Sequence, residues 1–190
     1  MVYLARAPEG LSSPRLHAWE RRAGRALLGL ALGEWGVRLP EGLEQALRYG
    51  PRGKPYLEGN PVYFNISHSR GLAACAVESC PVGLDLEALR QFRPGLAERA
   101  FTPKERRLAQ ASPDRDRALT QLWTCKESLM KLSGQGMAAL GEAEVEGLGQ
   151  RPRCGQAGVW LESWDLESHW LTEACARPFA LELRWADLRA

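Results

Sequence analysis

Two acidic side chains within an apolar segment are the first feature of this sequence that could do chemistry. In "VGLDLE", residues 82–87, Asp85 and Glu87 alternate with Leu84 and Leu86. Side chains of a strand alternate between its two faces, so both carboxylates would lie opposite the leucines. A half-buried strand with a solvated acidic face would give the same pattern. The other interpretation is a divalent-metal site, but Mg2+ would need more oxygen ligands than these two carboxylates supply.

A second segment, "LWTCKESLMKLSGQG", could supply the missing group. Trp123, Glu127 and Lys131 are spaced by four residues, so in a helix they share one face, and Lys126 lies in the adjacent row. A plain surface pair of Glu127 and Lys131 would contribute only about 0.3–0.5 kcal/mol. If this face met the acidic face of the strand, three acids would converge. That is costly unless a cation and a polyanion fill the space.

Two further segments could bind a phosphate. "FNISHSRG" places Ser67, His68 and Ser69 at the end of a predicted strand, where hydroxyl, imidazole and backbone N–H groups could hold phosphate oxygens. Such residues also favour turns, so this signal alone is weak. In "GKPYL", Lys54 is conformationally restricted by Pro55, which is otherwise a turn feature.

Composition limits the class of protein. With 190 residues, 45% of them hydrophobic, the chain can form one large or two small domains. Its 25 basic and 23 acidic residues give a net charge of +2, which does not indicate a nucleic-acid-binding protein. Five cysteines, an odd number without a CxxC pair, favour a reducing, cytoplasmic setting. No apolar run approaches the roughly 18 residues of a membrane span, and the beginning of the chain lacks a signal-peptide core, so we expect no membrane association.

Hydrophobic spacing predicts the elements that would position these groups. After a strand at "VYLAR", a helix should begin with Ser13 as N-cap and Pro14 in its first turn. Strands "VYFNI", "LAACAV" and "VGLDLE" are expected to be neighbours in one sheet. Helices follow at "FTPKERRLAQA" and from Pro113 to Ser133, the second with Ser112 as N-cap and Gly134 as its end.

The last part of the chain predicts strands at "EAEVEGL", "GVWLESWDL", "SHWLTEACA" and "FALELRWADL". The chain therefore passes from helix to strands twice. This order predicts a two-lobed α+β fold, with an N-terminal lobe at 1–82 and a C-terminal lobe at 83–190. The active site would lie at the seam between the lobes.

Taken in order, "GKPYL", "FNISHS", "VGLDLE" and "LWTCKESLMKLSGQG" resemble the successive signature motifs of the two-domain 4'-phosphopantetheinyl transferases. The match spans residues 53–136 and is specific because four separate motifs occur in the right order. Weaker likeness extends to "GRALLGLAL" and "FTPKE". The resemblance implies two similar α/β lobes related by a pseudo-two-fold axis, each with a small sheet packed on a long helix. Coenzyme A would bind between them, and a monomer is expected because one chain already forms a pseudo-dimer.

The resemblance also implies roles for particular residues. Asp85, Glu87 and Glu127 would hold Mg2+, or Mn2+ in its place, together with the pyrophosphate of coenzyme A. Glu127 and Lys131 would be catalytic. The expected coenzyme A contacts are Arg25, Lys54, Pro55, Ser67, His68, Lys126 and Lys131.

The implied reaction transfers phosphopantetheine to an apo acyl, peptidyl or aryl carrier protein of fatty-acid, polyketide or nonribosomal-peptide synthesis. A carrier serine would attack the phosphorus nearest the pantetheine arm, and 3',5'-ADP would leave. Glu127 or a water on the metal would accept the serine proton, and Lys131 would stabilise the leaving phosphate. The alternative is a noncatalytic homologue that binds coenzyme A or a carrier protein. A purely structural module would require four ordered motifs by accident.

Overall fold

The computed structural model describes residues 1–59, 62–180 and 182–188, and these form an α+β fold. The helices are α1 (Ser13–Glu34), α2 (Leu43–Ala46), α3 (Pro94–Ala100), α4 (Pro103–Gln110) and α5 (Arg115–Ser133). A short 3-10 helix follows at Gly136–Ala139. No helix in these ranges is both long and apolar enough to cross a membrane.

The strands of the described ranges form two main sheets and two hairpins. They are β1 (Val2–Arg6), β2 (Leu47–Tyr49), β3 (Pro55–Leu57), β4 (Tyr63–Ser69), β5 (Leu72–Glu78), β6 (Val82–Ala88), β7 (Val145–Gly147), β8 (Arg153–Cys154), β9 (Trp160–Asp165), β10 (His169–Cys175) and β11 (Leu183–Trp185). The first sheet has the order β11-β1-β5-β4, and the second has the order β6-β10-β9. The hairpins are β2-β3 and β7-β8.

These elements stack as helix, sheet, sheet, helix. Helix α1 packs its apolar stripe, including Leu27 and Ala31, on the outer face of the first sheet. A further apolar cluster lies between the sheets and includes Leu4 of β1 and Leu84 of β6. Helix α5 covers the outer side of the second sheet with residues such as Leu122. Each sheet is therefore buried on both faces, which explains why strands β5 and β6 are buried almost throughout.

The strand order corrects one expectation from the sequence. Strands β4 and β5 are antiparallel neighbours, as predicted, but β6 pairs with β10 in the other sheet. The short turn between β5 and β6 carries the chain from one sheet to the next, so adjacency in sequence does not produce adjacency in the ladder. Strand β11 lies parallel to β1 and so adds a late segment of the chain to the first sheet. The proposed boundary between residues 82 and 83 stays a prediction.

Side chains of β4 bind the edge of β6 that β10 does not cover. Three polar residues of β4 accept hydrogen bonds from backbone N–H groups of β6. The pairs are Leu84 N to Asn65 Oδ1 at 3.0 Å, Leu86 N to Ser67 Oγ at 3.1 Å, and Ala88 N to Ser69 Oγ at 3.0 Å. Because a buried backbone N–H without a partner is costly, these side chains accept the hydrogen bonds that a neighbouring strand would otherwise accept.

The ends of the long helices follow local rules, with small shifts from the predicted bounds. In α1 the N-cap is Ser12, one residue earlier than expected, and its side chain makes no capping hydrogen bond. In α5 the N-cap is Asp114, not Ser112, because the Asp114 carboxylate accepts a hydrogen bond from Arg117 N at 2.9 Å. Gly134 ends α5 in the left-handed region, at φ +70°, as predicted.

Gly83 allows α5 to touch β6. A Cβ atom at this position would lie 2.0 Å from the Ser128 carbonyl oxygen and 2.4 Å from Leu132 N. Both are backbone atoms, which cannot move aside as the end of a side chain can. The close approach therefore requires glycine, and it sets the distance between the helix and the strand that carry Glu127 and Asp85.

We predict that Gly83→Ala lowers the free energy of unfolding by about 3 kcal/mol or more, since overpacking against backbone forces α5 away from β6. Gly95→Ala is the matched control, because a Cβ at this position in α3 meets nothing within 4 Å. The control should be neutral or slightly stabilising, since alanine favours helix. Urea denaturation of both variants measures the difference, and equal stabilities would contradict the close-packing argument.

A buried carboxyl group makes the stability depend on pH. Glu173 of β10 is inaccessible to solvent, and neither of its carboxyl oxygens has a hydrogen-bond partner within the described residues. Burial raises the pKa of Glu173 to about 8; the N-terminal amine opposes the rise, and the carboxylates of Glu78 and Glu162 add to it. The carboxyl group is therefore protonated in the folded protein at neutral pH.

Because this pKa is higher in the folded state than in the unfolded state, the folded state binds the proton more tightly. The contribution of protonated Glu173 to the free energy of unfolding is complete below about pH 4.5 and is lost as the pH rises through about 8. We expect the parent to lose up to about 1.4 kcal/mol per pH unit relative to Glu173→Gln across this window. Urea denaturation at a series of pH values measures both proteins, and parallel pH profiles would show that Glu173 does not titrate in this way.

Candidate functional site

Polar side chains from three elements meet where α5 crosses β6. The ammonium group of Lys131 in α5 donates to Asp85 Oδ1 at 2.7 Å and to Ser67 Oγ at 3.1 Å. It also donates to the Leu84 carbonyl oxygen at 3.1 Å, on the edge of β6 that faces β4. Ser67 in turn donates to Asp85 Oδ1 at 3.0 Å. The structure therefore brings together residues from three of the four motifs.

Asp85 has one oxygen engaged and one without a partner. The residue is 5% exposed, and its Oδ2 atom is buried without a hydrogen bond to any described residue. An unpartnered carboxylate oxygen is costly in a buried place unless a donor or a cation reaches it. Because Oδ1 is held by Lys131 and Ser67, Oδ2 is the atom of Asp85 that remains available to a ligand.

Glu87 and Glu127 extend the acidic group from the strand to the helix. Burial raises the pKa of Glu127, the Asp85 and Glu87 carboxylates raise it further, and Lys131 and Arg90 lower it. Burial likewise raises the pKa of Glu87, and Arg90 opposes this more strongly than Asp85 adds to it. The three carboxylates thus interact across the contact between β6 and α5.

The donor types fit a hard cation such as Mg2+, which prefers carboxylate oxygens. The unpartnered Oδ2 of Asp85 and the raised pKa values of Glu87 and Glu127 fit it too, because a cation would relieve all three. Within the described ranges, however, no three His, Cys, Asp or Glu side chains are gathered into a ready metal cluster. The residues suit the ion chemically, while the arrangement seen here places the Lys131 ammonium against Asp85.

Arg90 is a member of this group that the motif analysis missed. Its guanidinium lies 3.2 Å from Glu87 Oε1, and it covers the rings of Phe92 at 4.7 Å and Trp123 at 5.5 Å. The two aromatic rings restrict the guanidinium, which in turn restricts Glu87. The available signal was an arginine three residues after Glu87, followed by an aromatic residue, but neither is specific.

Lys54 holds the end of α5 and the beginning of β6. Its ammonium donates to the carbonyl oxygens of Lys131 at 2.5 Å, Val82 at 3.1 Å and Leu132 at 3.3 Å. Burial lowers the pKa of Lys54 to about 8. A cation at the C-terminal end of a helix is favourable because the last carbonyl groups there lack helical partners.

An open groove of about 460 Å3 lies beside Lys54. Pro55, at the beginning of β3, forms part of its lining, together with the half-exposed rings of Tyr56 and Tyr63. The end of α5 closes one side through Gly134. The groove combines flat apolar surface with the Lys54 ammonium, which binds the Lys131 carbonyl oxygen, so it could hold a planar ring that carries a charged substituent.

His68 lies on the opposite face of β4 from Ser67 and meets α1. Its Nδ1 atom is 3.4 Å from Glu20 Oε2. Glu20 is 2% exposed, accepts a hydrogen bond from Gly71 N at 2.7 Å and also contacts His17 at 3.3 Å. Sequence reasoning missed Glu20, although an acidic residue within the apolar stripe of α1 was a usable signal. The carboxylate fixes the orientation of the His68 ring, whose other side remains exposed.

Arg25 lies on α1 and contacts residues of α2 and β2. Its Nη2 atom donates to the Tyr49 hydroxyl at 2.6 Å, and Nε is 3.7 Å from Glu44 Oε1. Its Nη1 atom is buried and has no hydrogen-bond partner among the described residues. The guanidinium therefore retains donor capacity for an anion.

Lys126 does not join the other candidate residues. Its side chain is 1% exposed, and its ammonium donates to Glu105 Oε1 at 2.9 Å and to the Ala143 carbonyl oxygen at 2.8 Å. Glu105 also accepts hydrogen bonds from the N–H groups of Thr102 and Val145. This buried network ties α5 to α4 and β7, so the geometry gives Lys126 a structural role and no phosphate contact.

We predict that Lys126→Met lowers the free energy of unfolding by about 3 kcal/mol or more, because the buried Glu105 carboxylate loses its counter-ion. Lys104→Met is the control, since Lys104 pairs with Glu144 and Glu146 at the surface and should change stability by less than about 0.5 kcal/mol. Chemical denaturation compares the two variants. If Lys126→Met were as stable as the parent but bound a phosphorylated ligand more weakly, the predicted phosphate contact of Lys126 would be supported instead.

Comparison with known proteins identifies relatives of the part of the chain that carries this site. Residues 81–172, which carry Asp85, Glu87, Glu127 and Lys131, match the family model described as the 4'-phosphopantetheinyl transferase superfamily. The chain is 39% identical to the 4'-phosphopantetheinyl transferase HetI of Nostoc sp. over 133 residues, which cover 65% of this chain and 55% of the relative.

Two Bacillus subtilis proteins are also similar to this chain. A 4'-phosphopantetheinyl transferase is 37% identical over 122 residues, covering 61% of this chain and 54% of the relative. The 4'-phosphopantetheinyl transferase Sfp of strain 168 is 30% identical over 138 residues, covering 70% and 62%. The chain thus spans little more than half the length of these curated relatives. Together these matches show that the chain belongs to the 4'-phosphopantetheinyl transferase superfamily.

Proposed function

We propose that this chain transfers 4'-phosphopantetheine from coenzyme A to a serine of an apo carrier protein and releases 3',5'-ADP. The observation that carries the proposal is the contact of the Lys131 ammonium with Asp85 where α5 crosses β6, with the Glu87 and Glu127 carboxylates near enough to interact electrostatically with both. A group of carboxylates with a lysine suits a reaction in which a cation and a pyrophosphate enter together. The relatives named as 4'-phosphopantetheinyl transferases support the same reaction.

Asp85, Glu87 and Glu127 would hold Mg2+, or Mn2+ in its place. The free Oδ2 of Asp85 and the raised pKa values of Glu87 and Glu127 support this assignment, because a cation would relieve the repulsion among the three groups. When bound, the ion would neutralise pyrophosphate charge.

Glu127 would accept the proton of the attacking carrier serine. A positioned carboxylate can act as a general base, and Glu127 lies on α5 one helical turn before Lys131, beside the Asp85 and Glu87 carboxylates. As the serine oxygen forms its bond to phosphorus, the bond to the 3',5'-ADP oxygen breaks. Lys131 would stabilise the charge that develops on the leaving phosphate, since its ammonium already lies beside Asp85 and Ser67.

Coenzyme A would lie in the groove beside Lys54 and Pro55, with its planar base against the tyrosine rings. Lys131 and the Ser67 hydroxyl would then be near its pyrophosphate. His68, oriented by Glu20, and Arg25, with an unused Nη1, would contact its other phosphate oxygens. The buried ion pair with Glu105 leaves Lys126 outside this proposal.

We also propose that the two halves, 1–82 and 83–190, are similar lobes related by a pseudo-two-fold axis, with the reaction at their seam. The support is that each main sheet carries one long helix, α1 or α5, on its outer face. One chain built this way would already form a pseudo-dimer, so it would act as a monomer, and its five cysteines without a CxxC pair favour a cytoplasmic setting. Its partners would be acyl, peptidyl or aryl carrier proteins of fatty-acid, polyketide or nonribosomal-peptide synthesis.

The test incubates the protein with coenzyme A, Mg2+ and a panel of apo carrier proteins and measures intact carrier mass. We expect a gain of one phosphopantetheine. Glu127→Gln should lower kcat by roughly 100-fold or more, because it removes a proton acceptor and a carboxylate charge. Lys131→Met should also lower kcat with Mg2+ binding preserved, because the change removes a cation, and no carboxylate, from beside Asp85.

The control is Glu146→Gln, which changes a carboxylate at the protein surface and should leave kcat unchanged. Turnover by Glu127→Gln within about threefold of the parent would remove Glu127 from the chemistry. Binding of coenzyme A without any mass gain on any carrier would instead support the noncatalytic alternative.

A further inference from the structure

Two cysteines lie in contact at the turn where the chain passes between the two sheets. Cys80 is in the turn that joins β5 to β6, and Cys175 is the last residue of β10. Their sulfur atoms are 2.9 Å apart. This separation is closer than two non-bonded sulfurs usually approach, and a disulfide bond is about 2.05 Å long. A small rotation of the two side chains would therefore bring the sulfurs within bonding distance.

The backbone around the pair is held on both sides, so no large movement is needed. Cys175 is opposite Val82 in the antiparallel ladder of β10 and β6. Just beyond it, Ala176 N donates to the Pro81 carbonyl oxygen at 3.3 Å. Two segments fixed in this way keep Cys80 and Cys175 side by side whenever both strands are formed.

The remaining cysteines have no comparable neighbour. Cys75, Cys125 and Cys154 contact hydroxyl or carbonyl oxygens, and none of them has another cysteine as a hydrogen-bond partner within the described residues. Cys75 and Cys125 are buried, and Cys154 is half-buried. The pair at the turn is thus chemically distinct from the rest.

The two thiols differ in access. Cys80 is half-buried, whereas Cys175 is buried. The Arg177 guanidinium, held by Glu78 at 3.0 Å, interacts electrostatically with both sulfurs. Burial raises the pKa of Cys175 to about 12, with the Cys80 thiol as the second cause. Cys80 should therefore react first and Cys175 slowly.

We propose that Cys80 and Cys175 are a modification site that forms an intramolecular disulfide on exposure to a low-molecular-weight disulfide such as oxidised glutathione. The Cys80 thiolate attacks one sulfur of oxidised glutathione and displaces a glutathione thiolate. The Cys175 thiolate then attacks Cys80 Sγ and displaces the second glutathione thiolate. Two protein thiols are oxidised, one glutathione disulfide is reduced to two glutathione molecules, and the two protons pass to the departing thiolates.

The disulfide bond would link the turn between β5 and β6 covalently to the end of β10. It closes a loop from residue 80 to residue 175 that contains every element from β6 to β10. A long closed loop restricts the unfolded chain strongly, so the oxidised protein gains stability wherever the native geometry accepts the bond. This property does not depend on the transferase activity, because neither cysteine contacts the acidic group or Lys131 directly.

The test compares the full-length protein in its fully reduced form with the same protein incubated with oxidised glutathione. We expect the number of titratable thiols under denaturing conditions to fall from five by two. Intact mass should fall by two hydrogen atoms, and peptide mapping should join Cys80 to Cys175. The thermal midpoint should rise by roughly 5 °C or more and return to its starting value on treatment with dithiothreitol.

Cys80→Ser is the principal variant, because its half-buried position tolerates a hydroxyl. It should lose both the bridge and the thermal shift. Cys154→Ser, which alters a half-buried cysteine away from the pair, should keep both. Five thiols after oxidation, a glutathione adduct at Cys80 without a bridge, or a bridge mapped to other cysteines would each overturn the proposal.

Discussion

The structure depends on which groups form hydrogen bonds with the backbone of β6 along the edge that β10 does not cover. This strand pairs with β10 on one side only, yet it lies buried between the two sheets. Its N–H groups bind three side chains of β4, and two of its carbonyl oxygens receive the ammonium groups of Lys54 and Lys131. An unpaired buried strand edge would otherwise be costly. The two sheets are joined by these side chains instead of by a continuous ladder.

The same contacts explain why the candidate site lies where it does. Side chains that bind the edge of β6 must be polar and must come from β4 and α5, so they bring a hydroxyl and an ammonium beside Asp85. Gly83 then sets how closely α5 approaches the strand. Ser67 and Lys131 therefore contribute both to stability and to the proposed chemistry, so variants of these two residues need measurements of both unfolding and activity. Glu127 is not among the side chains that bind the edge of β6, so a Glu127 variant tests activity with less effect on stability.

Sequence reasoning grouped candidate residues by motif, but the direction of each side chain decides which of them share a partner. In "FNISHS" we expected hydroxyl groups and an imidazole to face one ligand. Alternation along β4 instead turns Ser67 and Ser69 toward β6 and His68 toward Glu20. Lys126, predicted near phosphate, is buried against Glu105. Spacing alone could not distinguish the two lysines of α5, because the direction of each helix face depends on what packs against it.

The sequence by itself determined the family, the α+β class, the left-handed end of α5 and the alternation that places Asp85 and Glu87 on one face. These follow from ordered motifs and from rules that act over a few neighbouring residues. Only the tertiary structure decided that β6 leaves the sheet of β5, and that Cys80 meets Cys175. Each of these outcomes joins segments far apart in the chain. They depend on which buried backbone and side-chain groups find partners when the layers pack, and no local pattern records that choice.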